Sequence, residues 1–413
     1  GDGAGDAVTS GVDNTFIGDN AGTATTSGGT NVAVGNEALA ANTTGASNAS
    51  VGASSLDANT TGTSNTAVGA NALSANTTAD NNTAVGRNAL LLNTTGTQNT
   101  ALGSGTVTFN TTADNNTGVG FNALNANTTG SQNTAVGAAS LDANTTGSNN
   151  SAFGREALTK STTGSHNTGL GYEALKENTT ASYNTGIGYQ ALKLNTTAGS
   201  NTGVGGFALT AATTGNVNAG FGYAALQGVT TGTNNTGLGY ASGQSITTGA
   251  NNIALGTNAL NSGRPGGQVT TASNIIGIGN ADHTAAHIQI DWTVASDERD
   301  KTDFTALDLG LGFVKKLEPF TYRWDKRSKY SDQTPDGTHK EDWLDVGFKA
   351  QDVEILEEEA GYKIADKTNL TTNLTEDGKQ YGIQYSKFVP ILVKAIQELS
   401  AKIEELEAQI NGE

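Results

Sequence analysis

Apolar residues recur along residues 14–260 with a period of 17 and no insertion. Each unit carries one directly before a glycine, as in Ile17-Gly18, Val34-Gly35, Val68-Gly69, Leu102-Gly103, Phe153-Gly154 and Leu255-Gly256. Leucine stands four residues beyond the glycine (Leu39, Leu56, Leu73, Leu90, Leu124), except at Gly22, Val107 and Gly243. Asparagine stands four before it, from Asn14 and Asn31 to Asn252, and a Thr-Thr pair closes most units, as in Asn42-Thr43-Thr44-Gly45. One unit therefore reads as a short strand, a Leu-anchored return segment and a polar turn. Such a unit has too few apolar anchors to bury a core alone, whereas units stacked in register share one. A parallel β-solenoid is predicted, with the Val column and the Leu column each forming a continuous ridge. At about 4.8 Å per strand, fifteen coils make a rod of roughly 70 Å. The column two before the glycine stays small (Ala33, Ala67, Ala84, Gly118, Gly169, Gly186) apart from Phe16. That implies close approach by a neighbour, either a sister chain's backbone or the chain's own tight coil.

After Leu260 the period breaks. Asn261 to Gly267 reads as an inserted loop, Asn274 to Gly279 as a last degenerate coil, and His287 to Trp292 as an exit strand. Beyond it the pattern changes class. Leu307 to Leu317 predicts a helix, Phe320 to Trp324 a strand, and Val346 to Ala350 a strand running into a helix over 351–360. Tyr381 to Tyr385 predicts a further strand. Val389, Leu392, Ile396, Leu399, Ile403, Leu406 and Ile410 then alternate in steps of 3 and 4, which predicts a coiled coil over 386–411. Ile at a with Leu at d would alone favour a dimer, but a coil this short follows the domain it is attached to.

Charge marks the same division. Residues 1–290 hold 6 of the 22 Lys and Arg and 13 of the 39 Asp and Glu, and the rest lie in the last 123 residues. A net charge of -17 argues against nucleic acid or an anionic membrane surface as partner, since both attract basic patches. No run is apolar enough to span a bilayer. No signal peptide is visible, and a chain opening on Gly1 is expected to be processed or a fragment. Without cysteine there is neither a disulfide framework nor a thiolate metal site. His283 and His287 stand four apart, but nothing completes a metal site around them, so no metal and no cofactor is expected.

Two surface features of the repeats suggest chemistry. The position after the glycine becomes tyrosine at Tyr172, Tyr189, Tyr223 and Tyr240, either a sugar-stacking ladder or a packing surface. Nine turns spell Asn-Thr-Thr, formally a glycosylation acceptor and more simply turn chemistry. No pair of carboxylates stands apart from the pattern as glycoside hydrolysis would need. The Asn-x-x-x-Gly strand with an apolar residue before the glycine resembles the head repeats of YadA-like trimeric autotransporter adhesins. That resemblance covers 14–260 and implies a left-handed parallel β-roll; the 17-residue unit with its Thr-Thr turn is longer than is usual there.

At the seam, Ser296 stands five residues ahead of Lys301. A serine hydroxyl attacks well only when a base takes its proton, and lysine serves as that base when burial lowers its pKa. Three stretches carry a second resemblance: Ser296 to Lys301, Val346 to Asp352 (Val-Gly-Phe-Lys-Ala-Gln-Asp), and Tyr385 to Leu399. In order and together they resemble the endosialidase-type C-terminal intramolecular chaperone. That family trimerises, templates the β-structured shaft ahead of it and cuts itself off before the serine. The resemblance implies Ser296 as nucleophile, Lys301 as base and cleavage between Ala295 and Ser296. Asp300 departs from the family pattern, which usually has an apolar residue there, and it sets a carboxylate beside the lysine.

The expected fold class is thus an all-β repeat solenoid of 17-residue coils, trimeric, followed by a small α+β domain ending in a coiled coil. The shaft is placed at 1–260, a degenerate coil and connector at 261–295, and the chaperone domain at 296–413. Leu392, Ile396, Leu399, Ile403, Leu406 and Ile410 are the expected trimerisation residues. The functional expectation is a fibre or tail-spike protein of a virion, serving phage host attachment through a surface glycan or receptor. The alternative is a cellular adhesin or extracellular filament subunit with the same assembly domain.

Overall fold

A computed structural model of the protein describes residues 1–261, 268–280, 282–283, 294–375 and 378–412. The chain divides into two compact units, Gly1–Leu260 with Thr270–Ile278, and Asn261–Val269 with Gly279–Glu413.

The first unit is one sheet of sixteen parallel strands in sequence order, each three residues long. It runs from β1 (Thr15–Ile17) to β15 (Ile253–Leu255) in fourteen steps of 17 residues, and Thr15 pairs with Val32 at the first. β16 (Ile276–Ile278) follows after a step of 23 and still pairs in register, Ile253 with Ile276. The degenerate coil therefore stacks like the others. Residues 262–267 of the expected loop, and the expected exit strand at 287–292, lie outside the described residues.

The coil of residues 133–149 shows how the stack holds together. Its strand donates from Thr134 to the Asn150 carbonyl of the next coil, and Gly137 donates to Val119 of the one before, both at 2.8 Å. The return segment is laddered as well: Ala139 donates back to Phe121, while Leu141 and Ala143 donate forward to Ala157 and Thr159. Ala139 and Leu141 reach these partners from left-handed backbone, φ 54 and 49, as Asn149 at φ 59 reaches the Ser131 carbonyl. That conformation costs an L-residue about 1–2 kcal/mol, and full burial of a leucine side chain offsets it by about 1.5–3 kcal/mol. Leu141 and its counterparts in neighbouring coils are indeed fully buried.

The three departures from leucine have local causes. At Gly22 an added Cβ would lie 2.5 Å from the Phe16 ring, so the phenylalanine at the cap fills the leucine's space. At Gly243 the buried Ile246 does the same, its Cδ1 only 3.1 Å from such a Cβ. Val107 stays buried at φ 52, a costly conformation for a β-branched residue.

Asparagine forms two buried ladders. In one, Asn133 Nδ2 donates to the Gly147 carbonyl of its own coil, and its backbone N–H to Asn116 Oδ1 of the coil before. In the other, Asn144 Nδ2 donates to Asn127 Oδ1 and again to the Gly147 carbonyl. This second ladder is the Asn of Asn-Thr-Thr, fully buried at all nine positions from Asn42 to Asn195. In the folded shaft these amides are turn chemistry and are closed to a glycan. The ladder breaks where its column changes residue. Ser161 follows Asn144 and Ala212 follows Asn195, and among the described residues Asn144 Oδ1, Asn195 Oδ1 and Ser161 Oγ have no hydrogen-bond partner. Ser161→Asn is expected to rejoin the ladder and raise the shaft's denaturation midpoint by about 1 kcal/mol in stability. Ser161→Ala should be nearly neutral, and a lower midpoint for Ser161→Asn would count against the ladder.

Two expectations about the strand require correction. The column before the glycine is not a buried ridge. It points outward, with Ile17 58 % and Leu102 47 % exposed. The small column two before the glycine is the inward one, fully buried within a single chain, as at Ala67, Ala135 and Ala152. A Cβ at Gly169 would touch Leu158 of the preceding coil at 3.4 Å and the Ala174 carbonyl at 3.3 Å. Small residues are thus set by the chain's own Leu column and need no sister backbone.

In the second unit, β17 (Phe320–Tyr322) pairs antiparallel with β18 (Asp345–Gly347). β19 (Thr372–Leu374), absent from the sequence reading, pairs antiparallel with β20 (Tyr381–Ile383). The helices are α1 (Leu311–Val314), shorter than expected, α2 (Ala350–Glu359) and α3 (Phe388–Asn411). Leu309, Phe313, Val353, Phe388 and Ile391 form the core. α3 has Pro390 in its first turn and ends on left-handed Gly412, the usual signals at both ends.

Candidate functional site

The seam dyad is assembled by one 3-10 turn. Asp297 accepts from the Arg299 N–H at 2.9 Å and opens the turn Glu298–Asp300. Lys301 N–H closes it on the Glu298 carbonyl at 3.1 Å. The Arg299 guanidinium holds the Asp297 carboxyl below its ordinary range, which fixes that capping carboxylate as an acceptor. One such turn brings the sixth residue back over the first. Lys301 Nζ lies 2.6 Å from Ser296 Oγ and 3.2 Å from the Ser296 carbonyl oxygen. That is within reach for direct proton transfer. Among the described residues Lys301 makes no ion pair with Asp300; its amine is turned to the serine instead. Ala295, Ser296 and Lys301 are all exposed.

The other two stretches of the seam's resemblance meet in the tail's core. Phe348 N–H donates to Tyr385 Oη at 3.2 Å, and the Phe348 ring lies 5.4 Å from that of Phe388. Gly347 makes this possible: a Cβ there would stand 2.3 Å from Tyr385 Oη. α3 is tied to the segment following the dyad through Glu398, whose Oε2 accepts from Leu311 N–H at 2.7 Å. A second carboxylate, Glu357 on α2, is 1 % exposed and clamps the start of β19. It accepts from Thr371 N–H at 2.5 Å and Oγ1 at 2.8 Å, and from both Thr372 N–H and Oγ1. The sequence pattern gave no sign of this clamp.

α3 has two apolar faces. Phe388, Ile391 and Ala395 turn into the unit's own core. Leu392, Ile396, Leu399, Ile403, Leu406 and Ile410, the heptad positions, are all exposed.

On the shaft, Tyr172 and Tyr189 stack at 5.4 Å and Tyr223 and Tyr240 at 5.5 Å. Phe207, missed in the sequence, bridges the coil that lacks a tyrosine, at 5.1 Å from Tyr189 and 5.6 Å from Tyr223. The Arg155 guanidinium covers Tyr172 at 4.9 Å from the ring centre. The rings therefore pack on one another along the ladder, and Tyr189, Tyr223 and Tyr240 remain half exposed. Beside it, Lys176 and Lys193 hold the Glu173 carboxyl down to about 2, so it stays ionised and is unsuited to donate a proton. His283 Nδ1 contacts Asn280 Oδ1 at 2.9 Å, and His287 lies outside the described residues. No helix among the described residues is long and apolar enough to cross a membrane.

The family model described as the chaperone of endosialidase matches residues 296–362, beginning at Ser296 itself. No curated protein matches the chain. A chaperone of this type behind a solenoid of fourteen 17-residue turns fits a tail-fibre-like structural protein.

Proposed function

We propose that the protein is the subunit of a homotrimeric fibre or tail spike for phage host attachment, whose residues 296–413 drive trimerisation and folding and then release themselves. The observation that carries this reading is the 2.6 Å contact between Lys301 Nζ and Ser296 Oγ, at the first residue of the family match. Ser296 Oγ attacks the carbonyl carbon of Ala295 and gives its proton to Lys301. The C–N bond then breaks, and the Ser296 nitrogen takes the proton back as it leaves. An ester joins Ala295 to Ser296 Oγ, and water hydrolyses it. Lysine is an effective base only when buried, and the dyad is exposed in a single chain. Neighbouring subunits would supply that burial, which makes cleavage conditional on assembly. The exposed heptad face of α3 is the clamp that gathers the copies.

A helper of this kind suits the shaft. Parallel coils are non-local and slow to form, and near-identical repeats invite register slips. Once formed, the stack outlasts the clamp kinetically. The half-exposed ladder from Arg155 to Tyr240 is the surface for a host glycan in this reading. The test is the mass of the denatured protein. Wild type should give two fragments, Gly1 to Ala295 and Ser296 to Glu413, while Ser296→Ala and Lys301→Ala stay intact. An uncut wild type that is nonetheless trimeric would overturn self-release and leave the tail as a permanent clamp.

A further inference from the structure

Charge is spread unevenly along the shaft. Residues 1–154 hold nine acidic residues against Arg87 alone. Residues 155–193 hold four basic residues, Arg155, Lys160, Lys176 and Lys193, against three acidic ones, Glu156, Glu173 and Glu177. Residues 194–263 hold no charged residue at all. The aromatic ladder crosses that last boundary. Arg155, Tyr172 and Tyr189 lie on the charged coils, and Phe207, Tyr223 and Tyr240 on the neutral ones. Five steps of about 4.8 Å give the ladder a length of about 24 Å in single file. The ion network beside it turns its cations outward. Lys176 holds Glu173 at 2.8 Å and Glu156 at 2.6 Å, Lys193 holds Glu173 at 2.7 Å, and Lys160 holds Glu177 at 2.6 Å. The Glu173 side chain is 8 % exposed and those of Glu156 and Glu177 26 %, whereas Arg155 and Lys160 are 59 % and 54 % exposed. Arg155 meets Tyr172 Oη and Glu156 through Nη2 alone, which leaves Nε and Nη1 to donate elsewhere. Solvent therefore meets a ladder that is cationic at one end and uncharged at the other.

We infer that the ladder takes an acidic glycan, with a sugar carboxylate on Arg155 and neutral sugars along Phe207, Tyr223 and Tyr240. A carboxylate on a guanidinium makes a charge-assisted contact, and tyrosine offers an apolar ring with a polar tip to a ligand that is apolar and hydroxylated by turns. One ring per coil in a straight file suits a linear polymer. The acidic coils of residues 1–154 repel such a polymer, which confines it to the ladder. The inference rests on the glycan reading proposed above and adds the charge class of the ligand and the end at which its charge is held.

Affinity electrophoresis of the full-length protein tests it, with gels holding either hyaluronan, whose sugars alternate between acidic and neutral, or the same polymer with its carboxyls reduced to alcohols. Hyaluronan should retard the wild type, with an apparent Kd about tenfold below that for the reduced polymer. Arg155→Ala should lose that tenfold on hyaluronan and behave as wild type on the reduced polymer, and Arg155→Lys should recover part of it. Tyr223→Ala should weaken binding to both polymers. Thermal midpoints read on the same samples establish that each variant is folded. Equal retardation by the two polymers, lost in Tyr223→Ala, overturns the acidic class and leaves the glycan surface standing. Retardation by hyaluronan that Arg155→Ala does not change overturns the placement of the charge. No retardation by either polymer overturns both the acidic class and the glycan reading.

Discussion

Gly137→Ala is expected to break the shaft locally, with a loss of about 4 kcal/mol or more. Two independent effects combine there. Gly137 sits at φ 132, a region that L-residues avoid at a cost of about 1–3 kcal/mol. Its added Cβ would also stand 2.6 Å from the carbonyl carbon and oxygen of Gly154 in the next coil. Those atoms are backbone, and Gly154 N–H is held on the Val136 carbonyl at 2.7 Å, so they have nowhere to go. The coils must part and surrender ladder hydrogen bonds on both sides. The adjacent Ala138→Asn should be silent, because that column already accepts Asp19, Asn36, Arg87, Phe121 and Arg155. Far-UV circular dichroism during thermal denaturation would read both variants, and a wild-type midpoint for Gly137→Ala would refute the close approach.

Glu357→Gln should destabilise the tail by about 2–4 kcal/mol, since it leaves buried donors without an acceptor. Four donors from Thr371 and Thr372 converge on the carboxylate. An amide replaces one acceptor oxygen with a donor, so the donors at that oxygen lose their partner. Two of the three tryptophans, Trp324 and Trp343, lie in the tail, so in a Trp292→Phe background tryptophan fluorescence follows the tail alone in a denaturant titration. An unchanged midpoint would show that the clamp is dispensable. If the tail drives assembly as proposed, a tail weakened in this way should also assemble poorly.

Much of this was legible from the residue pattern. The uninterrupted period dictates the stack, since one inserted residue would shift every column, and β1 to β15 do pair at 17-residue steps. The heptad after Phe388 likewise became one helix with its apolar stripe exposed. The dyad was legible as a spacing but not as a contact, because five residues bring Lys301 to Ser296 only if the segment between them turns. β19 was missed because Thr-Asn-Leu has no alternation of its own and owes its strand to β20 and to Glu357.

The sequence by itself determined the repeat, its strand order, the turn asparagines and the division between shaft and tail. These depend on periodicity and composition, which a chain displays without folding. Only the tertiary structure decided which side of each strand faces in. A strand of three residues alternates too briefly to declare its inner face. Packing settles the matter: each coil's interior is already filled by the preceding leucine, as Leu158 fills the space at Gly169, and only glycine, alanine or serine fits beside it. The larger aliphatic residues are therefore turned outward, away from the coil's interior.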